Sequence, residues 1–478
     1  MTTAAHEFWA AFRRFLLMKT KAFSYVSSLG VLGLLFAVLT NLRADYPVAS
    51  HRYLADPSVW VTNDRVYVYC SNDDENPTGE GGGKGAYAIP NVICISSSDM
   101  KNWTDHGSVF RAEESTTWAK KTWAPAVAER GGKYFLYFGN GGTNIGVVVS
   151  GSPIGPFTDS LGTYLIDNKT PGVMPAERMW LFDPAVFIDD DDQAYIYFGG
   201  NGDNNVRVAK LNRDMISLDG EVMKMSVPNF FEAAWMFKRN GVYYFGYSTT
   251  PKMGMRIDYT MSGKPTSDFV YTGVIAKQPP INSNNNNHAA EFQFKGQWYH
   301  IYHNRIVAKE AGIPAGFRRN IAIESLSFNA DGTIRLVEYT TDGVPQVGWL
   351  NPYVRVEGET FNAQHGIKTE RCSEGGLNVT GIRDGAWIKI KGVDFGSKGP
   401  RFFDVAVASG GSGGSIKLYL DSPEGRLIGT CSVANTGGWQ NWRAVSCEVK
   451  EVTGVQDLYL KFEGGGELLF NLDYWQFR

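Results

Sequence analysis

The sequence predicts an all-β chain, a five-bladed β-propeller followed by a jelly-roll-like β-sandwich, and three observations predict it. A strand–turn–strand pattern recurs five times within the first 345 residues. Glycine (54) and aromatic residues (13 Trp, 23 Tyr, 28 Phe) are abundant, a composition that suits short strands joined by tight turns. Beyond residue 350 the recurring pattern stops and runs of period-two alternation take over.

The first element is a targeting segment. Residues 25–40, YVSSLGVLGLLFAVLT, are apolar, with Lys19 and Lys21 before them and polar chain from Asn41. The run is short for a membrane span and right for a signal-peptide core. Residues 1–44 are therefore expected to be a signal peptide, with Met18 as an alternative start. The mature protein is expected to be exported, extracellular or periplasmic, and not to span a membrane. A formal charge of -3 argues against a nucleic-acid partner, whose phosphates demand a basic surface. Five cysteines without a CxxC pair exclude a cysteine zinc site and a disulfide scaffold.

The second element, residues 45–350, is built from the repeats. They are DPSVWVTNDRVYVYC from Asp56, APAVAERGGKYFLYF from Ala124, DPAVFIDDDDQAYIYF from Asp183, EAAWMFKRNGVYYFGY from Glu232 and HAAEFQFKGQWYHIYH from His288. Each reads as a hairpin, and the intervals leave room for two further strands, four per unit. Repeated four-stranded units describe a propeller, whose innermost strands line an axial channel. Equivalent positions therefore converge there: Asp56, Ala124, Asp183, Glu232 and His288. Three acids at one repeated, apolar-flanked position have no structural reason to recur, since a buried unpaired acid is costly. Glu291 aligns instead with Val59, Val127, Val186 and Trp235, and is read as non-catalytic.

Paired carboxylates on an aromatic scaffold are the equipment of glycoside hydrolysis, one acid protonating the leaving oxygen and one activating water. A third can raise the donor's pKa by like-charge repulsion. The stretches ADPSVW (55–60), SSSDMKNWTDHG (96–107), WAPAV (123–127), SPIGPF (152–157), FDPAVFIDDD (182–191), FEAAWMFKRNGVYYFGYS (231–248) and NNNNHAAEFQFKGQWYHIYHNR (284–305) resemble family 43 glycoside hydrolases. That resemblance implies an inverting enzyme, with Asp56 as general base, Asp183 as pKa modulator and Glu232 as general acid. Glu-Ala-Ala at 232–234 departs from the family's frequent Glu-Gly-Pro. The resemblance also places Arg319 at the pocket and His288 near a channel ion or water. Trp123 is a candidate for stacking on sugar, while Trp103 is expected in the core.

The third element, residues 351–478, contains WIKIKGVDFG, RFFDVAVASG, SIKLYLDS and DLYLKFEG, alternating strands separated by glycine turns. With VRVEGETF (354–361), DGAWIKIKGVDFG (384–396), GGWQNW (437–442) and FNLDYWQF (470–477), it resembles a family 6 carbohydrate-binding module. That resemblance implies a structural calcium on Glu357, Glu359 and Asp473, and sugar contacts from Trp439, Trp442 and Asn471. Gly381 stands where many relatives carry a second stacking aromatic. Cys431 and Cys447 lie 16 residues apart, and sequence leaves their pairing open.

The combined expectation is removal of α-L-arabinofuranosyl residues from arabinoxylan, a plant cell-wall polysaccharide, or its oligosaccharides, without an organic cofactor. A β-xylosidase or other exo-acting hydrolase uses the same acids, an endo-arabinanase needs an open groove, and a non-catalytic sugar-binding propeller is the alternative of another class.

Overall fold

The computed structural model describes residues 47–76, 87–173, 179–202, 205–282, 286–314 and 316–478. The expected signal peptide lies outside them, as does part of the loop after the first hairpin. The all-β class is observed: the described residues hold only two short α-helices, Ala112–Ser115 and Ile306–Glu310, and one 3-10 turn.

Each repeat opens an antiparallel sheet. The leading strands are Leu54–Val61, Trp123–Arg130, Ala185–Ile188, Phe230–Arg239 and Ala289–Phe294. They touch one another in sequence, and the fifth touches the first. Five apolar clusters fill the spaces between successive sheets. The one between the last and first sheets joins Leu54, Val66 and Val68 to Phe292, Ile301 and Ile321. The repeated aromatics serve this packing. Tyr69, Tyr137 and Tyr197, at one ladder position in sheets one to three, each bury the ring and donate the hydroxyl to a carbonyl, of Pro153, Met215 and Pro265.

Two expectations need correction. Four strands per unit holds for the first, third and fourth sheets, but the second and fifth have three. In the second, Pro153 and Pro156 withdraw N–H donors, leaving isolated bridges at Thr158 and Ile166. In the fifth, Val337 donates to Ile275 of the fourth sheet instead of continuing its own. The alignment also slips by one residue in the fourth sheet. Asp56, Ala124 and Asp183 themselves adopt left-handed backbone, at φ 51°, 42° and 48°, whereas in the fourth sheet Ala233 does, at 61°, and Glu232 precedes it. Each such residue costs about 1–2 kcal/mol. In the first, second and fourth sheets the strand pairing jumps at this point, a bulge that turns one residue out of the ladder.

Residues 356–478 form two packed sheets around one core that includes Ile388, Leu418, Leu460 and Trp475. Cys431 and Cys447 are thiols lying against each other where the edges of these two sheets meet. One piece of this module belongs to the first sheet of the ring: Thr360–Phe361 pairs with Trp103 and Thr104 as its fifth strand. Beside that seam Asp105, buried, accepts from Arg52 Nε at 2.6 Å and Thr369 Oγ1 at 2.8 Å, with His51 Nε2 2.9 Å away. Trp103 is core, as expected.

Candidate active site

The left-handed turns at Asp56, Asp183 and Ala233 bring Asp56, Asp183 and Glu232 into one cavity of about 330 Å³ at the end of the ring where the leading strands begin. Tyr87, Trp123, Trp180, Phe182, Phe231, His288 and Arg319 also line it. The three acids are each less than 9% exposed. Their environments differ, and the difference sets their protonation.

Asp56 meets Arg319: Nη1 donates to Oδ1 at 2.6 Å. Burial by itself would raise this carboxyl, but the guanidinium overrides it and holds the pKa at about 2. The Asp56 main-chain N–H donates to His303 Nδ1 at 3.3 Å, while His303 Nε2 lies 3.0 Å from the Asn286 carbonyl. His303 is therefore neutral, with its proton on Nε2, and burial holds its pKa well below the ordinary value. Asp56 is ionised at every working pH.

Glu232 has the opposite setting. Burial first, then the charges of Asp183 and Asp56, push it well above the ordinary carboxylate range. Asp183 is raised too, to about 8, by burial and by Asp56. Its Oδ2, however, accepts the left-handed Ala233 N–H at 2.9 Å, a bond that favours the ionised form. The proton shared by this pair therefore rests on Glu232. The Ala233 bulge does double service, presenting Glu232 and turning its own N–H onto Asp183.

His288 stands between the acids, Nδ1 3.7 Å from Asp56 Oδ1 and 3.9 Å from Asp183 Oδ2. One imidazole nitrogen lies within 4 Å of both carboxylates, which limits how far apart they can be. Burial lowers its pKa to about 4, so it is neutral at pH 7. Glu291 does not line the cavity; it is buried against His300 at 2.7 Å.

The aromatic wall was only partly foreseen. Trp123 lines the cavity as expected, its Nε1 donating to the Tyr87 carbonyl. Phe182 packs edge-on against both Trp123 and Trp180. Trp180, 40% exposed, offers a ring at the mouth, yet no repeat or motif singles it out in the sequence. His303 and Tyr87 were likewise not anticipated.

In the module, Asn471 Nδ2 donates to the Trp439 carbonyl and to Glu370 Oε1, both at 2.8 Å. Trp442 is half-buried, its Nε1 3.2 Å from Ser373 Oγ. Gln440 adds bonds to Glu370 and Asn378, two residues the sequence reading missed. Gly381 has left-handed backbone, at φ 68°, and a Cβ there would lie against Lys368, at 3.9 Å.

Among the described residues no group of three or more His, Cys, Asp or Glu side chains stands ready to hold a metal, beside His288 or in the module. At the three expected calcium ligands, the Arg355 guanidinium takes Glu357 at 2.8 Å and reaches Asp473 at 3.4 Å, supplying positive charge there. Glu359 Oε2 and Asp473 Oδ1 are nonetheless buried without a hydrogen-bond partner, oxygen donors suited to a hard cation.

Residues 44–334 match the family described as glycosyl hydrolases family 43, and residues 357–478 match carbohydrate binding module family 6. An arabinoxylan arabinofuranohydrolase of Paenibacillus polymyxa is 39% identical over 90% of this chain and 74% of its own length. One of Bacillus subtilis (strain 168) is 40% identical over 90% of this chain and 92% of its own. The crystal structure of a Bacillus subtilis family 43 arabinoxylan arabinofuranohydrolase in complex with cellotetraose superposes with a TM-score of 0.84, at 39% identity. It covers 91% of this chain and 98% of that one.

Proposed function

Because the chain belongs to glycosyl hydrolases family 43 and carries a family 6 carbohydrate binding module, it is a glycoside hydrolase, and we propose that it removes α-L-arabinofuranosyl residues from arabinoxylan. The opposite protonation of Asp56 and Glu232 in one aromatic-walled cavity carries this reading. The names of the two relatives matched along nearly the whole chain support the sugar. We read the five sheets as the blades of a propeller, residues 45–350 as the catalytic domain, 351–478 as the module and 1–44 as an export signal.

The chemistry follows from the side chains. Ionised Asp56 takes a proton from water, whose oxygen attacks the anomeric carbon. Protonated Glu232 gives its proton to the glycosidic oxygen as the bond to the xylan hydroxyl breaks. Attack opposite the leaving group inverts the configuration. Asp183 keeps the proton on Glu232 until that step. Trp123 and Trp180 offer ring faces to the sugar and its neighbours, and Trp439, Trp442 and Asn471 are read as the module's sugar contacts.

Arabinose release from arabinoxylan, and hydrolysis of 4-nitrophenyl α-L-arabinofuranoside in preference to 4-nitrophenyl β-D-xyloside, is the expected result. Preference for the xyloside with no release from polymer would make the enzyme a xylosidase. Glu232→Gln is expected to lower turnover on the polymer about 10³-fold while leaving binding intact. An unchanged rate would make the cavity a binding site only.

We read Glu359 and Asp473, with Glu357, as holding a calcium that neutralises their buried charge. A chelator is then expected to lower the melting temperature and added calcium to restore it. No response to either would exclude the ion.

A further inference from the structure

The catalytic base is held by a residue with no part in the chemistry. Arg319 and Asp73 are both essentially inaccessible, and their contact is the most complete ion pair in the described site. Asp73 Oδ2 accepts the main-chain N–H of Arg319 at 3.0 Å and Nε at 2.7 Å, and Oδ1 accepts Nη2 at 2.9 Å. This is the two-pronged carboxylate grip that only a guanidinium fits. It fixes the plane of the group and leaves Nη1 to point at Asp56. Tyr87 lies over the guanidinium, 4.9 Å from its carbon.

Asp73 is itself anchored. It directly follows the strand Val66–Asn72, which pairs with the strand that carries Asp56, so neighbouring strands of one sheet position base and anchor. Asn76 Nδ2 donates to Asp73 Oδ1 at 2.8 Å, and the same amide reaches the Phe317 carbonyl, two residues before Arg319. The next acids are engaged elsewhere, Asp74 with Arg52 and Glu75 with Arg111. A buried arginine needs one carboxylate for neutrality. A second, holding the fork, lets Asp56 meet the guanidinium through a single bond and keep an orientation toward the cavity.

We propose that Asp73 is a positioning residue for hydrolysis: it sets the guanidinium of Arg319, and Arg319 in turn holds Asp56 ionised and aimed at the attacking water. The inference rests on the reading of Asp56 as the base.

The test is a double-mutant cycle on 4-nitrophenyl α-L-arabinofuranoside. Asp73→Asn keeps the shape and removes the charge; kcat is expected to fall about 10²-fold with KM within about threefold, as misplacement of a reacting group costs. In an Arg319→Ala background the same substitution is expected to cost less than about twofold, because the intermediary is gone. Asn76→Ala, which loosens the anchor without changing charge, is expected to lower kcat several-fold and serves if Asp73→Asn does not fold. Losses that multiply in the double variant, or an unchanged kcat in both single variants, would overturn the proposal. Glu232→Gln measured alongside separates the cases: if it stays active, the reading of the whole site fails, and if it is inactive while the cycle is additive, only the role of Asp73 does.

Discussion

At the level of single residues, the site works by setting like groups apart. Asp56 and Glu232 are both buried carboxylic acids, and an arginine beside one and a carboxylate beside the other set which is ionised and which keeps its proton. The folded-state pKa of Glu232 is raised, so its proton is present at low pH and lost as pH climbs through the raised value. Activity should therefore fall on the alkaline side, at a pH well above the ordinary carboxylate range. Asp183→Asn removes the nearest like charge. Its alkaline limb is expected to move to lower pH, with kcat down about 10²-fold, in a pH–rate profile. A limb that stays in place would mean that Asp183 does not set the protonation of Glu232.

At the level of elements, the seam between ring and module hangs on Asp105. Burial would raise its carboxyl, but Arg52 and His51 hold it far below the ordinary range. A depressed folded pKa stabilises the fold above the unfolded value of about 3.9, and that stabilisation is lost only as pH falls through the folded one. Asp105→Asn strands the buried partners and is expected to cost about 3 kcal/mol in urea unfolding at pH 7. The deficit should be undiminished at pH 5 and shrink below the unfolded value of about 3.9, where the unfolded wild-type chain takes up a proton that folded Asp105 refuses. A deficit that stays constant through that range would show an ordinary carboxyl. The tyrosines opposite the bulges act at the same level, for each closes a sheet onto its successor with one hydroxyl.

Across the whole molecule, what the sequence disclosed divides by distance along the chain. The hairpins, the alternation of the module and the acids Asp56, Asp183 and Glu232 were legible because each is a local pattern, and the five-fold recurrence brought the three acids together. Arg319 reached the site only through family resemblance. Asp73 was hidden in NDDEN, where five acids and amides in a row look alike, because its partner is 246 residues away. Strand number in the second and fifth sheets depended on prolines and on a competing neighbour, and the metal site on an arginine, Arg355, that sequence could not orient. Arg319 and Asp73 also link the fifth sheet to the first, where the ring closes, so the cavity and the closure share one ion pair.

The strand Thr360–Phe361, lent to the first sheet, has a consequence for how the enzyme meets a polymer. A module on a loose tether raises local concentration at any spacing its linker can span. Here the attachment is hydrogen-bonded sheet, so the cavity and the sugar face proposed for the module keep one separation and one heading. Such a pair acts as a caliper: chains that satisfy its gap gain from both grips, and fragments shorter than the gap gain nothing from the second.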